Sequence, residues 1–317
     1  MAFPDLEPRF LPPANWHNGD FENNGRHLTF GYTLPQTPPK SAIVILTGRS
    51  EFREKYFEVM HERLFQDQAV FVMDWYGQGH SDHCPGENPQ KDWCASYESH
   101  VSDLQSFITG QVKPRLPTAC PTFMLAHSMG GNIGLRYLLQ HPNNFSGAMF
   151  CGPMYGIKPV RWIPLNILFK IASLLKPDWY VIGGRDWHKG QRKSDGTDIF
   201  SSDPVRDSVH RAWCEADPAL RQGDVTFGWI KNAVAACLYI SQSEDLESLT
   251  LPCIFAIAGK EALVDNQAIR RTARRLPNAE TIEFPTAKHE IMMETDDIRN
   301  RFFQSFDNLI NRVTIQP

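Results

Sequence analysis

The sequence predicts a doubly wound α/β domain interrupted by one long, mainly helical insertion. Three observations predict it. Short apolar runs rich in β-branched and aromatic residues alternate with longer segments of helical pattern. The runs are continuously apolar rather than alternating, the pattern of strands covered on both faces of a mostly parallel sheet. The alternation stops between about Gly152 and Leu246 and then resumes.

Taken in order, His27–Leu34 alternates and is expected to belong to an antiparallel edge of the sheet. Ala42–Thr47, Ala69–Asp74, Thr122–His127, Gly147–Gly152 and Cys253–Ala258 predict buried strands, and Thr281–Phe284 a shorter one. Helical patterns fill 54–66, 97–110, 129–141, 266–276 and 295–311. The insertion holds the apolar run Trp162–Leu175, a Gly/Lys/Arg-rich loop from Gly183 to Gly196, and Thr226–Ile240. The expected organisation is a core of residues 1–151 and 247–317 with a helical cap at 152–246.

Bulk properties fit that plan. A chain of 317 residues with 42% hydrophobic and 21% charged residues can bury a large core without disulfides or metal. A net charge of −4 gives no support for nucleic-acid binding. Arg270, Arg271, Arg274 and Arg275 cluster at helical spacing and are expected on a solvated face. Seven scattered cysteines without a CxxC pair predict free thiols in a reducing, cytoplasmic compartment. The first ten residues lack the apolar stretch of a signal peptide, and no apolar run approaches the roughly 20 residues of a membrane helix.

The stretch "LAHSMGGNIG" carries the chemistry. Ser128 follows a predicted buried strand and opens a helix, with small residues at Ala126 and Gly130. That is the context of the G-x-S-x-G elbow, in which a sharp turn exposes a nucleophile. Ala126 departs from the usual glycine. A helix N-cap would also place a serine here, so the rest of the chain must decide.

A serine nucleophile needs a base, and the base needs a carboxylate. "GKEALVDN" (Gly259–Asn266) follows one late strand, and "PTAKHEIMMETDD" (Pro285–Asp297) follows the next. Both loops would lie at the carboxyl ends of neighbouring strands, beside the elbow. His289 is therefore the candidate base, in the chain order serine, acid, histidine. His127 adjoins Ser128 and should point elsewhere. His80, His83 and Cys84 loosely resemble metal ligands, but no matching set follows, so a plain loop is expected. "LTGRSEF" ends another strand, and the amides of Arg49 and Met129 are candidate oxyanion donors.

Together "TGRSEFREKY", "MDWYGQGHSD", "AHSMGG", "GKEALVDN" and "KHEIMMETDD" resemble the α/β-hydrolase superfamily. Within it they are similar to the lysophospholipase and monoacylglycerol-lipase branch, grouped with serine aminopeptidase-like hydrolases and including bacterial lysophospholipases of the L2 type. The resemblance runs from about Glu22 to Ile310, cap included. It implies the α/β-hydrolase fold, a sheet of about eight strands with an inserted helical cap. It assigns the nucleophile to Ser128, the base to His289, and the oxyanion turn to Gly48-Arg49 with Met129. Relatives carry "G-x-x-D-x-x-V-D" in the acid loop. Here Glu261 stands at the first carboxylate and Asp265 at the second. Both stay open as the triad acid, Asp265 also as a helix cap. Asp74, at a strand end, is expected to order the "YGQG" loop.

The resemblance implies a serine ester hydrolase acting on lipid monoesters without cofactor or metal. A short-chain carboxylesterase, an aminopeptidase-like hydrolase and a non-catalytic receptor are the alternatives. Trp162, Ile163, Leu165, Leu168, Phe169, Ile171, Leu174 and Leu175, with Trp213, Phe227 and Trp229, would either line an acyl site or pack the cap. The loop Gly184–Lys193 reads as solvated rather than as an anion site. A lipid substrate would leave room for peripheral contact with the inner membrane. Oligomeric state is not legible.

Overall fold

The computed structural model describes residues 3–158 and 176–315. The predicted cap helix Trp162–Leu175 lies outside the described residues. Among the described residues eight strands form one sheet: β1 (Trp16–Asn23), β2 (Arg26–Thr33), β3 (Ser41–Leu46), β4 (Gln68–Met73), β5 (Thr122–His127), β6 (Gly147–Cys151), β7 (Cys253–Ala258) and β8 (Ala279–Phe284). Their spatial order is β1-β2-β4-β3-β5-β6-β7-β8. β1 and β2 pair antiparallel, β2 meets β4 antiparallel, and every later pairing is parallel. This is the α/β-hydrolase arrangement.

Among the described residues the α-helices are α1 (Phe57–Leu64), α2 (Tyr97–Phe107), α3 (Ser128–Gln140), α4 (Pro204–Ala216), α5 (Phe227–Gln242), α6 (Asn266–Ala273) and α7 (Asp296–Ile315). Successive strand residues point to opposite faces, so the apolar runs feed two cores. Val44, Leu46, Met124, Ala126, Phe150 and Phe255 pack beneath α2, α3, α5 and α6. Ile43, Ile45, Val72, Leu125, Met149 and Ala256 pack beneath α1, α4 and α7. The continuous apolarity of each run follows from this double coverage.

Between β6 and β7 the described residues hold α4 and α5 and add no strand to the sheet. The two helices divide between the faces, α4 among Phe57 and Phe302 and α5 against α3. Of the two expectations for Trp213, lining an acyl site or packing the insertion, the second fits: it is a core residue of α4, edge-to-face with Phe57 at 5.8 Å. Trp229 is half-buried and faces the Arg49 guanidinium at 5.1 Å.

The order β4-β3-β5 is what positions the site. The chain leaves β3 toward one face and β5 toward the other, so the carboxyl ends of these adjacent strands open a crevice. Leu46 pairs with Ala126, which brings the loop after β3 beside the start of α3. β6, β7 and β8 are added in turn on the same side, each delivering a loop to the same rim.

Candidate active site

Ser128 stands at the first position of α3 with φ +49°. That left-handed conformation is costly for a residue with a Cβ. Close packing on both sides enforces it. A Cβ at Gly130 would lie 2.4 Å from Leu46 O and 2.5 Å from Thr47 O, so only glycine lets α3 approach β3 this closely. Two residues before the serine, Ala126 is fully buried between Leu46 and Phe150, and its methyl is accommodated there.

His289 reaches this serine from the loop after β8. Its Nε2 lies 3.0 Å from Ser128 Oγ and its Nδ1 lies 2.7 Å from Glu261 Oε2. The serine hydroxyl can therefore donate to Nε2 while Nδ1–H donates to the carboxylate. Glu261 Oε1 accepts the amides of Leu263 (2.7 Å) and Val264 (3.3 Å), so the carboxylate is aimed by its own turn. That turn takes up the extra methylene of glutamate relative to aspartate. Lys158 Nζ donates to the Glu261 carbonyl, and Lys158 N to Leu263 O, clamping the acid loop from the segment after β6. Burial pushes the Glu261 carboxyl up, but His289 and the two amides outweigh it and bring it to about 2.

Asp265 is not brought to His289. It is the N-cap of α6, accepts the Gln267 amide at 2.8 Å and faces Arg271 at 3.3 Å. Arg271 and Arg274 are exposed and Arg270 pairs with Glu283, as a solvated helix face requires.

Gly48 stands two residues after β3, where a Cβ would come within 2.9 Å of both Glu51 Oε2 and His127 Nδ1. The loop therefore bends tightly over β5, and Arg49 follows. The Arg49 side chain runs to the insertion, donating to Gly223 O at 2.8 Å and to Ser50 Oγ at 2.9 Å. Met129 lies in the first turn of α3, where amides have no carbonyl one turn back to bond. Because Leu46 pairs with Ala126, the loop carrying Arg49 and the helix start carrying Met129 leave neighbouring strand ends.

Beneath the base lies a feature that sequence reasoning missed. Glu51 Oε2 accepts from Tyr56 Oη (2.7 Å), the Gly48 amide and His127 Nδ1 (3.0 Å), and Glu51 Oε1 meets Lys55 Nζ at 2.7 Å. Burial opposes ionisation of Glu51, yet His127 and Lys55 hold its carboxyl well below the usual range. His127 thus points away from Ser128, as expected, and its Nε2 lies 3.3 Å from the His289 carbonyl. Lys55 also reaches Glu290 Oε2 at 2.7 Å. The one sequence signal was charge, in the run "SEFREK", at positions that turn out to be buried.

The loop Gly184–Lys193 departs from expectation at its end. Arg192 is 8% exposed and pairs with Glu290 at 2.8 Å instead of facing solvent. Asp74 does order its loop, accepting from Arg53 N and Nε, Thr29 Oγ1 and His80 N. His80 faces Asp217, His83 faces Gly79 O, and Cys84 accepts the amides of Trp93 and Cys94, so these three have separate partners.

The profile of the family described as "Serine aminopeptidase, S33" matches residues 37–296. The chain belongs to that family of α/β-hydrolases. Among relatives, the probable lysophospholipase L2 of Haemophilus influenzae is 24% identical over 288 residues, covering 90% of this chain and 87% of that protein. Lysophospholipase L2 of Escherichia coli K12 is 26% identical over 282 residues, covering 85% and 80%. Monoglyceride lipase of Mus musculus is 27% identical over 252 residues, covering 77% and 73%. A soluble variant of Saccharomyces cerevisiae monoglyceride lipase, solved with a substrate analog, superposes with a TM-score of 0.74 at 20% identity, covering 100% of this chain and 97% of that one. That likeness is one of fold.

Proposed function

We propose that this α/β-hydrolase is a lipolytic serine esterase that cleaves lysophospholipids or monoacylglycerols through an acyl-enzyme. The observation that carries the chemistry is the continuous hydrogen-bond path Ser128 Oγ–His289–Glu261, at 3.0 Å and 2.7 Å. The lysophospholipase and monoglyceride lipase relatives support the substrate class.

In this reading His289 Nε2 takes the Ser128 proton as Oγ attacks the ester carbonyl. Glu261 fixes the ring tautomer and stabilises the imidazolium. The amides of Arg49 and Met129 receive the oxyanion, each worth about 3 kcal/mol. His289 then protonates the leaving glycerol oxygen, and a water activated by the same ring cleaves the acyl-enzyme. Of the insertion, the part around Gly223 and Trp229 that meets Arg49 is read as covering this crevice. The free cysteines support action in the cytoplasm, with peripheral contact to the inner membrane where the lipid substrate resides.

An amide-cleaving aminopeptidase on the same residues is the second reading, favoured by the family's description. Fluorophosphonate labelling tests the site, and labelling that persists in Ser128→Ala would refute it. Nitrophenyl esters of graded chain length, lysophosphatidylcholine, monoacylglycerol and aminoacyl anilides then separate the substrates. Faster turnover of the anilides than of every ester would overturn the lipolytic assignment.

A further inference from the structure

Residues 192–201 of the insertion are joined along their length to residues 288–290. The Glu290 amide donates to Phe200 O at 2.9 Å, and the His289 amide lies 3.5 Å from Ile199 O. Lys288 Nζ donates to the carbonyls of Gly196 (2.7 Å) and Ser201 (2.9 Å). Through this seam runs a chain of buried charge. Arg192 Nη1 is 2.8 Å from Glu290 Oε1, Glu290 Oε2 is 2.7 Å from Lys55 Nζ, and Lys55 Nζ is 2.7 Å from Glu51 Oε1. Glu51 meets His127, whose Nε2 returns to the His289 carbonyl at 3.3 Å. All five side chains are more than nine-tenths buried.

We propose that Arg192 is a positioning residue for His289, acting through Glu290, so that the insertion sets the orientation of the base. This rests on the reading of His289 as the base. A buried ion pair is a weak source of stability, since apolar replacements of similar volume are often neutral or better. Its placement is what needs explaining. Glu290 shares a peptide plane with His289, so fixing its carboxylate fixes the backbone that carries the ring. Arg192 also lies over the Phe200 ring at 3.7 Å, and Phe200 O holds the Glu290 amide. One guanidinium therefore grips both the carboxylate and the segment bonded to its backbone.

Arg192 and Lys55 stand against Glu51 and Glu290, and Glu51 also holds His127 above its ordinary value against burial. Around His289 itself stand Ser128, Glu261 and His127. From α4, Asp207 and His210 interact with Arg192. The Asp207 carboxyl is pushed up to about 6, chiefly by burial and then by Asp198. Burial first, then Arg192 and Lys55, holds His210 well below its ordinary value. Removing the Arg192 charge takes one positive charge from beside His289, which favours the protonated ring. Removing the Glu290 charge alone does the opposite.

The test is the pH dependence of kcat and KM on a nitrophenyl ester, with an NMR titration of the His289 ring, assigned by its loss in His289→Asn. Arg192→Gln should lower kcat roughly tenfold to a hundredfold with KM within about twofold. It should also raise the ring pKa and the acid limb of kcat/KM by roughly half to one unit. Arg192→Lys should keep the limb in place, and Arg192→Gln/Glu290→Gln should return it to the wild-type position. Asp207→Asn controls for one other group titrating near this range, and repeating the Arg192→Gln comparison in that background should give the same shift; the His127 ring, which Glu51 holds above its ordinary value against burial, is followed separately in the same NMR titration and assigned by its loss in His127→Asn. An unmoved His289 titration in Arg192→Gln, or activity lost only in step with melting temperature, would overturn the proposal. A wild-type protein that neither hydrolyses esters nor labels at Ser128 would instead defeat the hydrolase reading, while the ring titration would still decide whether Arg192 sets His289.

Discussion

Glu261 Oε2 lies 2.7 Å from His289 Nδ1, while the other oxygen of the same carboxylate accepts two amides of its own loop. The carboxylate is fixed before the histidine meets it, so its charge and geometry are both committed to the ring. Glu261→Gln should lower kcat by about three to four orders of magnitude, since an amide stabilises neither the required tautomer nor the imidazolium. Asp265→Asn should leave kcat within about twofold, because asparagine is also a good N-cap. Asp265→Ala should cost about 1 kcal/mol of stability through loss of the α6 cap. Steady-state kinetics and urea unfolding on the three variants check this, and a large kcat loss in Asp265→Asn would reverse the assignment of the acid.

Stability should fall steeply in acid. Burial raises the carboxyls of Glu261 and Glu290, but His289 with the Leu263 and Val264 amides, and Arg192 with Lys55, respectively outweigh it and hold each at about 2, against an ordinary 4.5. A carboxyl depressed in the folded state binds protons more weakly there than in the unfolded chain. Its contribution is therefore complete above about 4.5 and is lost as pH falls toward 2. Each is worth up to about 3 kcal/mol by linkage. Urea unfolding between pH 2 and 7 should show this loss, and Glu261→Gln should flatten the slope by about one proton. An unchanged slope would remove Glu261 from the acid-sensitive set.

The fold was legible wherever burial dictates composition. The five buried runs became strands within one residue of their expected ends, because both faces of the sheet are covered there, and Thr281–Phe284 falls in β8, which is largely exposed and begins two residues earlier. β1 was missed because its outer face is solvated and "WHNGDFEN" carries little apolar signal. Its turn was nevertheless written in the sequence, as Asn24-Gly25, both at positive φ. Ser128 and His289 were legible because their chemistry imposes residue type and strand-end placement. The choice between Glu261 and Asp265 was not, because it depends on which carboxylate the loop turns inward. The Arg192–Glu290–Lys55–Glu51 chain was invisible for a different reason. Charged residues normally mark solvent, and only contacts between segments far apart in sequence reveal that these four are buried.

Asp74 anchors the neighbouring loop. Its carboxylate accepts Arg53 Nε at 2.8 Å, Thr29 Oγ1 at 3.0 Å, Arg53 N at 3.1 Å and His80 N at 3.2 Å, and both Asp74 and Arg53 are buried. Asp74→Ala strands the Arg53 guanidinium and should destabilise by about 3–5 kcal/mol. Because none of these groups touches Ser128 or His289, kcat of the folded fraction should stay within a few-fold of wild type. Chemical denaturation beside active-site titration separates the two quantities, and a kcat collapse in fully folded protein would give Asp74 a chemical role.

The elbow itself stores strain, and that strain is measurable. Ser128 holds φ +49° because α3 must start abruptly where Gly130 meets the carbonyls of Leu46 and Thr47. Both Ser128→Gly and Ser128→Ala remove the hydroxyl and should abolish ester hydrolysis. Only glycine also relieves the left-handed backbone, which costs a Cβ-bearing residue about 1–2 kcal/mol. Ser128→Gly should therefore exceed Ser128→Ala in stability by about 1 kcal/mol, after the entropy that glycine gains in the unfolded chain is set against it. Gly130→Ala should act in the reverse sense, driving a methyl into backbone that cannot retreat. It should lose several kcal/mol, or keep its fold only with the serine displaced and fluorophosphonate labelling slowed by about two orders of magnitude. Equal stability of the two Ser128 variants, or a Gly130→Ala protein that labels at the wild-type rate, would show that the turn is not held under the strain described.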